Sequence, residues 1–229
     1  MNWFSNFISS SLGKKVIMSL TGLFLIVFLK IHLLGNLQLL KDDGGEAFNT
    51  YAYLMTHNIL IKSVSYGLYF FILLHSFVGI SLWLKNRKSK GQKYAVSNHR
   101  DTTWASKNMA LLGTLILAFI FIHMGDFWYK MKFTDQLNMA QYAGVTHEVK
   151  DLYTRVAVAF TNPGIVAAYV IGMIVLAFHL WHGFASAFQT LGLNHKKWTP
   201  IIEFLGKVYA IVVPVLFALI PIYFYFTHK

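Results

Sequence analysis

The chain has 229 residues, of which 56% are hydrophobic and only 13% carry a charge. A composition this apolar excludes an ordinary soluble domain and indicates an integral membrane protein. The absence of cysteine excludes disulfides and thiolate-held metal clusters. The formal net charge of +11 fits membrane topology and anionic lipid headgroups, and we expect no nucleic-acid partner.

Apolar windows of about 20 residues, the length that crosses a bilayer, predict the membrane spans. There are five such windows, at residues 16–40, 63–84, 109–129, 164–191 and 201–226, and they belong to one membrane domain over residues 1–229. No cleavable signal pattern precedes the first window, so the first span is expected to be retained. The predicted fold class is therefore all-α, an integral membrane bundle of five transmembrane helices.

The segment between the second and third spans is strongly basic. From Lys85 to Lys107 it contains seven lysine and arginine residues and one acid, Asp101, whereas the connections on the other side have balanced charge. By the positive-inside rule this segment is cytoplasmic, which places the N-terminus inside and the C-terminus outside. Residues 1–15, with aromatic side chains among serines, predict an interfacial segment on the cytoplasmic face.

Both outer connections are predicted to contain structure. Residues 41–62 open with an Asp-Asp-Gly-Gly turn signal and continue as a tyrosine-rich stretch that we expect to cap the bundle outside. Within residues 130–162, helical periodicity covers 149–160, and the breaker at Asn162 and Pro163 predicts where the fourth span begins.

Each of the first four spans contains histidine within its apolar run. The residues are His32, His75 and His123, one to a span, and both His179 and His182 in the fourth. Imidazole is costly in hydrocarbon unless it is paired or binds a ligand, so these are candidate functional residues. Counted at about 1.5 Å per residue, His32 and His123 lie in the outer halves of their spans and the other three in the inner halves. This two-level arrangement is the one expected for two metal macrocycles stacked across a membrane.

Small residues accompany these histidines, as a haem face requires beside the helix that ligates it. The glycines that follow a histidine within about one turn are Gly35, Gly79, Gly125 and Gly183. We therefore predict two haems, held by histidine alone because the chain has no cysteine. The fourth axial ligand stays open between two residues. Depth matching to His75 favours His182, whereas the His-x-x-x-Gly spacing shared with His75 favours His179.

Three stretches of the chain carry a resemblance to a known family. They are residues 14–22 (KKVIMSLTG), residues 31–37 (IHLLGNL), and residues 178–183 (FHLWHG) with 189–192 (QTLG). They resemble the cytochrome b membrane anchor of succinate dehydrogenase and fumarate reductase. More narrowly, the chain is similar over essentially its full length to the single-polypeptide, five-helix, two-haem type that works with menaquinone.

The resemblance implies a function and a set of partners. It implies two haem b groups, one on His32 and His123 and one on His75 and a histidine of the fourth span, for which we choose His179 with His182 as the alternative. It also implies a multi-pass subunit of the bacterial cytoplasmic membrane that anchors a flavoprotein (FAD) subunit and an iron–sulfur subunit. Electrons would pass between succinate or fumarate chemistry on those subunits and menaquinone.

Other polar residues are candidates for supporting roles. Lys30 and Arg155 are candidate partners of an outer haem propionate, although Lys30 could equally snorkel and Arg155 could be a solvated loop charge. Asp126, three residues after His123, is the first candidate for a quinone or proton site, followed by Glu46 and His57. At the inner side the candidate propionate partners are Arg100, Lys107 and Lys207, and Trp181 is a ring that could pack on a macrocycle.

Three other functions remain open. The first is a cytochrome b of another respiratory complex, such as a hydrogenase or a formate dehydrogenase. The second is a non-haem di-iron oxidase or desaturase, which requires histidine boxes at one depth. The third is an anchor or transporter without a cofactor.

Overall fold

The computed structural model describes residues 2–89, 104–143 and 145–228, and it is almost entirely helical. Five of its helices are long and apolar enough to cross a membrane: Ser11–Leu40, Ile59–Lys88, Met109–Phe133, Pro163–Thr190 and Trp198–Thr227. The five predicted spans are therefore confirmed, each ending within a few residues of the expected bounds. The exposed faces of these helices are lined by large apolar side chains, as expected for surfaces that face lipid.

The elements follow in chain order. The inner end opens with α1 (Trp3–Ser9) and α2 (Ser11–Asn36), which is extended by a 3₁₀ turn (Leu37–Leu40). Then come α3 (Glu46–His57), α4 (Ile59–Ser89), α5 (Trp104–Lys107) and α6 (Met109–His123), followed by a π-helical segment (Met124–Tyr129) and α7 (Lys130–Phe133). Two short strands, β1 (Met139–Ala140) and β2 (Val149–Lys150), precede α8 (Leu152–Phe160), α9 (Pro163–Thr190) and α10 (Trp198–Thr227).

Two helix starts are fixed by side chains that accept hydrogen bonds from the free N–H groups of the first turn. The hydroxyl of Ser10 accepts from the Gly13 amide at the start of α2, and Asn162 accepts from the amides of Gly164 and Ile165 at the start of α9. Pro163 occupies the first turn of α9, where its missing N–H costs nothing. The predicted start of the fourth span is thus confirmed together with its cause.

Helix α9 lies at the centre of the bundle and packs against α2, α6 and α10, while α4 packs mainly on α2. Close approach depends on small residues, because a Cβ at Gly172 would lie 2.6 Å from the Phe119 ring and one at Gly206 would lie 2.7 Å from Phe184. The Tyr209 hydroxyl donates to the Ile26 carbonyl at 2.6 Å and ties α10 to α2.

The outer cap, formed by α3, the hairpin of β1 and β2, and α8, is organised around the buried side chain of Asn49. Its amide donates to the Tyr142 hydroxyl at 2.7 Å and to the Asp151 carboxylate at 2.9 Å, and its carbonyl oxygen accepts from the Tyr153 amide at 2.9 Å. Burial raises the pKa of the Tyr142 hydroxyl above its ordinary value. The expected cap over residues 41–62 is present, and its position outside the membrane stays a prediction.

One boundary needs correction. The predicted helix at residues 149–160 begins only at Leu152, because Val149 and Lys150 pair with Ala140 and Met139 in the antiparallel hairpin. Asp151 lies between the two elements and caps α8 by accepting from the Thr154 amide at 3.0 Å. The basic inner segment lies partly outside the described residues, including Lys90, Lys93, Arg100 and Asp101.

Asn49→Ala is expected to lower the free energy of unfolding by on the order of 3 kcal/mol, because it removes the three hydrogen bonds that the Asn49 side chain makes in the outer cap. The matched control, Asn138→Ala, removes an exposed amide and should change the free energy by less than about 0.5 kcal/mol. Thermal unfolding of both variants in detergent checks this, and equal melting temperatures would contradict it.

Candidate functional site: two pairs of facing histidines

The outer pair joins α2 to α6. The ring centroids of His32 and His123 lie 5.7 Å apart with the ring planes at 83°. Aromatic side chains surround the pair: Phe28 stacks on His32 at 5.2 Å, and Phe119 stacks on His123 at 5.9 Å. The Asn36 amide donates to the His32 main-chain carbonyl at 2.8 Å and lies 3.4 Å from both of its ring nitrogens.

The inner pair joins α4 to α9. The ring centroids of His75 and His179 lie 6.3 Å apart with the planes at 61°. The His75 Nδ1 lies 3.0 Å from the Thr21 hydroxyl, and its ring packs beside Gly22, where a Cβ would touch it at 3.4 Å. The Nδ1 of His179 is buried and has no hydrogen-bond partner among the described residues.

The two pairs lie at different depths. Helix α2 contacts both, through Thr21 at the inner pair and His32 at the outer pair, and these residues are separated by about 16 Å of helix. Helix α6 gives the same result, since Gly113 lies beside His179 and His123 follows about 15 Å further along. The histidines are thus brought together in the two pairs, and at the two levels, that the sequence predicts.

The spacing within each pair suits a single metal ion. A metal–imidazole nitrogen bond is about 2.0 Å long, so two rings that face each other through one ion have centroids about 6 Å apart. Both observed distances, 5.7 and 6.3 Å, are close to this value. The buried Nδ1 of His179 has no hydrogen-bond partner among the described residues, so no polar side chain of that part of the chain competes for this nitrogen.

Among the described residues, no group of three or more histidine, cysteine, aspartate or glutamate side chains could hold a metal ion. Each histidine pair supplies only two ligands, and about 15 Å separates the levels. Two facing imidazoles at each level are the ligands that a haem would take from this chain.

The glycines that follow the histidines were expected to leave space beside them, and not all of them do. Around Gly183, one turn after His179, nothing lies within 4 Å of an added Cβ, which agrees with room beside the inner pair. Gly79 faces the flexible end of Met18 at 3.5 Å. Gly35 is the correction: the ring of Tyr51 occupies the space beside it, so this glycine admits a side chain of the outer cap.

An ion pair adjoins the outer histidines. Arg155 of α8 donates from Nε to the Asp126 main-chain carbonyl and from a terminal nitrogen to its carboxylate, both at 3.2 Å. Each side chain is only 20% exposed. Arg155 is therefore not a solvated loop charge, and it supports the π-helical segment that follows His123.

The other candidates for the outer level are Lys30 on α2 and Glu46 and His57 on α3. Lys30 is exposed on α2, as snorkelling requires. Glu46 and His57 belong to the outer cap at the two ends of α3, where His57 stacks on Tyr53 at 3.8 Å and Tyr53 also contacts His147 at 4.0 Å. Asp126 is thus the candidate carboxylate beside the outer pair.

Two of the remaining candidates at the inner side, Trp181 and Lys207, lie next to each other at the surface. Trp181 and Lys207 are exposed, with the Lys207 ammonium 5.9 Å from the centre of the indole ring. Trp181 follows His179 by two residues and so lies on nearly the opposite side of α9, away from the inner pair. Lys107 is exposed at the end of α5, His182 is half-buried one turn beyond His179, and Arg100 lies outside the described residues.

Several supporting residues have no signal in the local sequence. Two of them contact a histidine of another helix directly: Thr21 contacts His75, and Tyr169 contacts His123. The third, Gly172, makes room for Phe119, the ring that stacks on His123. Their roles follow from helix packing, and only Thr21 lies within a stretch that the sequence singles out.

Comparison of the chain with protein-family models, with curated proteins and with solved structures gave no match.

Arg155→Leu is expected to destabilise the protein more than Asp126→Asn. The leucine loses both hydrogen bonds to residue 126, whereas asparagine retains the main-chain bond and an acceptor oxygen. We expect a loss on the order of 2 kcal/mol for Arg155→Leu and about half of that for Asp126→Asn. Thermal unfolding of the two variants gives the order, and the reverse order would show that Arg155 contributes little through the main chain.

Proposed function

We propose that this chain is the di-haem b membrane anchor of a succinate:quinone oxidoreductase. The observation that carries the haem part is the pair of facing histidines at each of two depths in a five-helix bundle. The choice of complex rests on the resemblance of the first and fourth spans to the anchor family. The chain would be the membrane subunit of an enzyme whose dicarboxylate chemistry lies on another subunit.

In this proposal His32 and His123 hold the outer haem, and His75 and His179 hold the inner haem. A haem held by two histidines would supply one-electron transfer. The chain provides the ligands, buries them between helices and fixes the orientation of their rings. His179 is preferred over His182 because its ring is the one that faces His75.

The partners follow from the proposed complex. The cytoplasmic side would bind an iron–sulfur subunit, and through it a flavoprotein subunit, with the basic segment from Lys85 to Lys107 as the docking face. Menaquinone would react at the outer level, where Asp126 is the nearest candidate for proton exchange. Asp126 is paired with Arg155 at 3.2 Å, which fixes the position of this carboxylate beside the outer histidine pair.

The experiment that tests the proposal is a reduced-minus-oxidised absorption spectrum of the purified wild-type protein, with haem quantified per chain. Two haem b groups are expected. A well-folded preparation without haem would overturn the haem assignment and leave a cofactor-free anchor or transporter. Co-purification of a flavoprotein and an iron–sulfur subunit, with succinate-dependent reduction of a menaquinone analogue, tests the complex. Co-purification of a hydrogenase or formate dehydrogenase would assign the cytochrome to another complex.

His179→Ala is expected to lose one of the two haems, whereas His182→Ala, one turn away on the same helix, should retain both. Haem per chain and the spectrum of each variant decide between the two residues. Loss of haem in His182→Ala with retention in His179→Ala would transfer the ligand role to His182.

Gly183→Leu is expected to lower the content of the inner haem by filling the open space beside His179. The matched control is Gly125→Leu, also next to open space but exposed and two residues after His123. The control should retain both haems. If the two variants contain the same amount of haem, the space beside Gly183 is not occupied by the inner haem.

A further inference from the structure

The Thr21 side chain is the one polar group of α2 that contacts the inner histidine pair in the described residues. Its hydroxyl lies 2.7 Å from the Ile17 carbonyl of its own helix and 3.0 Å from the Nδ1 of His75 on α4. Thr21 is 4% exposed, so water does not compete for either contact. A hydroxyl has a single proton, and these two contacts together determine where that proton lies.

The Thr21 hydroxyl also lies 3.2 Å from the Met18 carbonyl, and its shortest contact is the one to the Ile17 carbonyl. Donation of the hydroxyl proton to these carbonyls, which can only accept, leaves the lone pairs of the hydroxyl oxygen free. The lone pairs of the same oxygen then accept from His75, which requires the ring proton to be on Nδ1. The other ring nitrogen, Nε2, is left with the lone pair that binds metal. The contact thus selects one tautomer of His75.

The surrounding contacts hold this geometry in place. Gly22, the next residue, allows the His75 ring to lie against α2. About two turns towards the inner side, the Lys14 ammonium donates to the Ser81 hydroxyl at 2.7 Å, so α2 and α4 are joined by polar contacts at two heights. The register between the two helices is fixed, and the hydroxyl meets the ring in one orientation.

We propose that Thr21 is a positioning residue for the inner haem, acting through His75. This inference rests on the proposed function. An acceptor at Nδ1 raises the basicity of the ligating nitrogen and favours oxidised iron. Removing the acceptor should therefore favour reduced iron at the inner level and leave the outer level unchanged.

The experiment is a redox titration of the haem-loaded protein, monitored by absorption, for wild type, Thr21→Val and Thr21→Ser. Valine has the shape of threonine without the hydroxyl, and loss of one hydrogen bond should raise the reduced-to-oxidised ratio of the inner haem about fivefold at a fixed potential. For a one-electron couple this is an increase of about 40 mV in midpoint potential. Thr21→Ser keeps the hydroxyl and should titrate as wild type.

The matched control is Ser19→Ala. Ser19 is also buried on α2, and its hydroxyl also donates to a carbonyl one turn earlier, at 3.0 Å. Unlike Thr21, it makes no hydrogen bond to a histidine ring among the described residues. Its removal should leave both potentials unchanged. Equal shifts in Ser19→Ala and Thr21→Val would overturn the inference, because the effect would then come from the helix.

Two further outcomes are informative. If Thr21→Val loses the inner haem, retention in Thr21→Ser supports the inference and loss in both variants overturns it. A wild-type protein without haem would refute the proposed function itself. A wild type with two haems whose potentials are the same in Thr21→Val would refute only the role of Thr21.

Discussion

The fold depends on placing imidazole rings within a membrane, where hydrocarbon offers no hydrogen bonds. Each ring must then face a polar group or a metal, and in this chain the rings face one another across helix boundaries. His32 on α2 faces His123 on α6, and His75 on α4 faces His179 on α9. Neither of these two pairs of helices packs closely, because the close contacts are those of α2 with α4 and α9 and those of α9 with α6 and α10. The facing rings therefore add a constraint across the bundle that packing between apolar helices lacks, since lipid is as apolar as leucine.

Helix α2 is the element that links the two levels. Along one helix, Lys14 bonds to Ser81, Thr21 bonds to His75, and His32 faces His123. Three polar residues of the first-span stretches thus meet a partner on another helix, and the spacing of Thr21 and His32 along α2 matches the distance between the two levels.

The sequence predicts much of this structure because several of its signals are local. Span length, hydropathy and the Asn162–Pro163 breaker depend on neighbouring residues, and histidine depth follows from counting along a helix. Contacts between distant segments cannot be predicted in this way. Gly35 makes room for Tyr51, and Asn49 bonds to Tyr142 and Asp151, about a hundred residues away along the chain. The mutual pairing of Arg155 and Asp126 likewise depends on how α8 docks, which no local pattern specifies.

The two levels differ in what surrounds the rings, and an apolar layer separates them. The inner pair has a hydroxyl at one ring and open space near the other, whereas the outer pair has aromatic walls and an adjacent ion pair. Between them lies a packed apolar cluster, to which α2 contributes Ile26 and Leu29, α6 Ile116, and α9 Met173 and Leu176. These side chains carry no polar groups, so apolar packing separates the polar surroundings of one histidine pair from those of the other. A substitution that changes the hydrogen bonds at one pair should therefore have little direct effect on the other pair, although both pairs share α2.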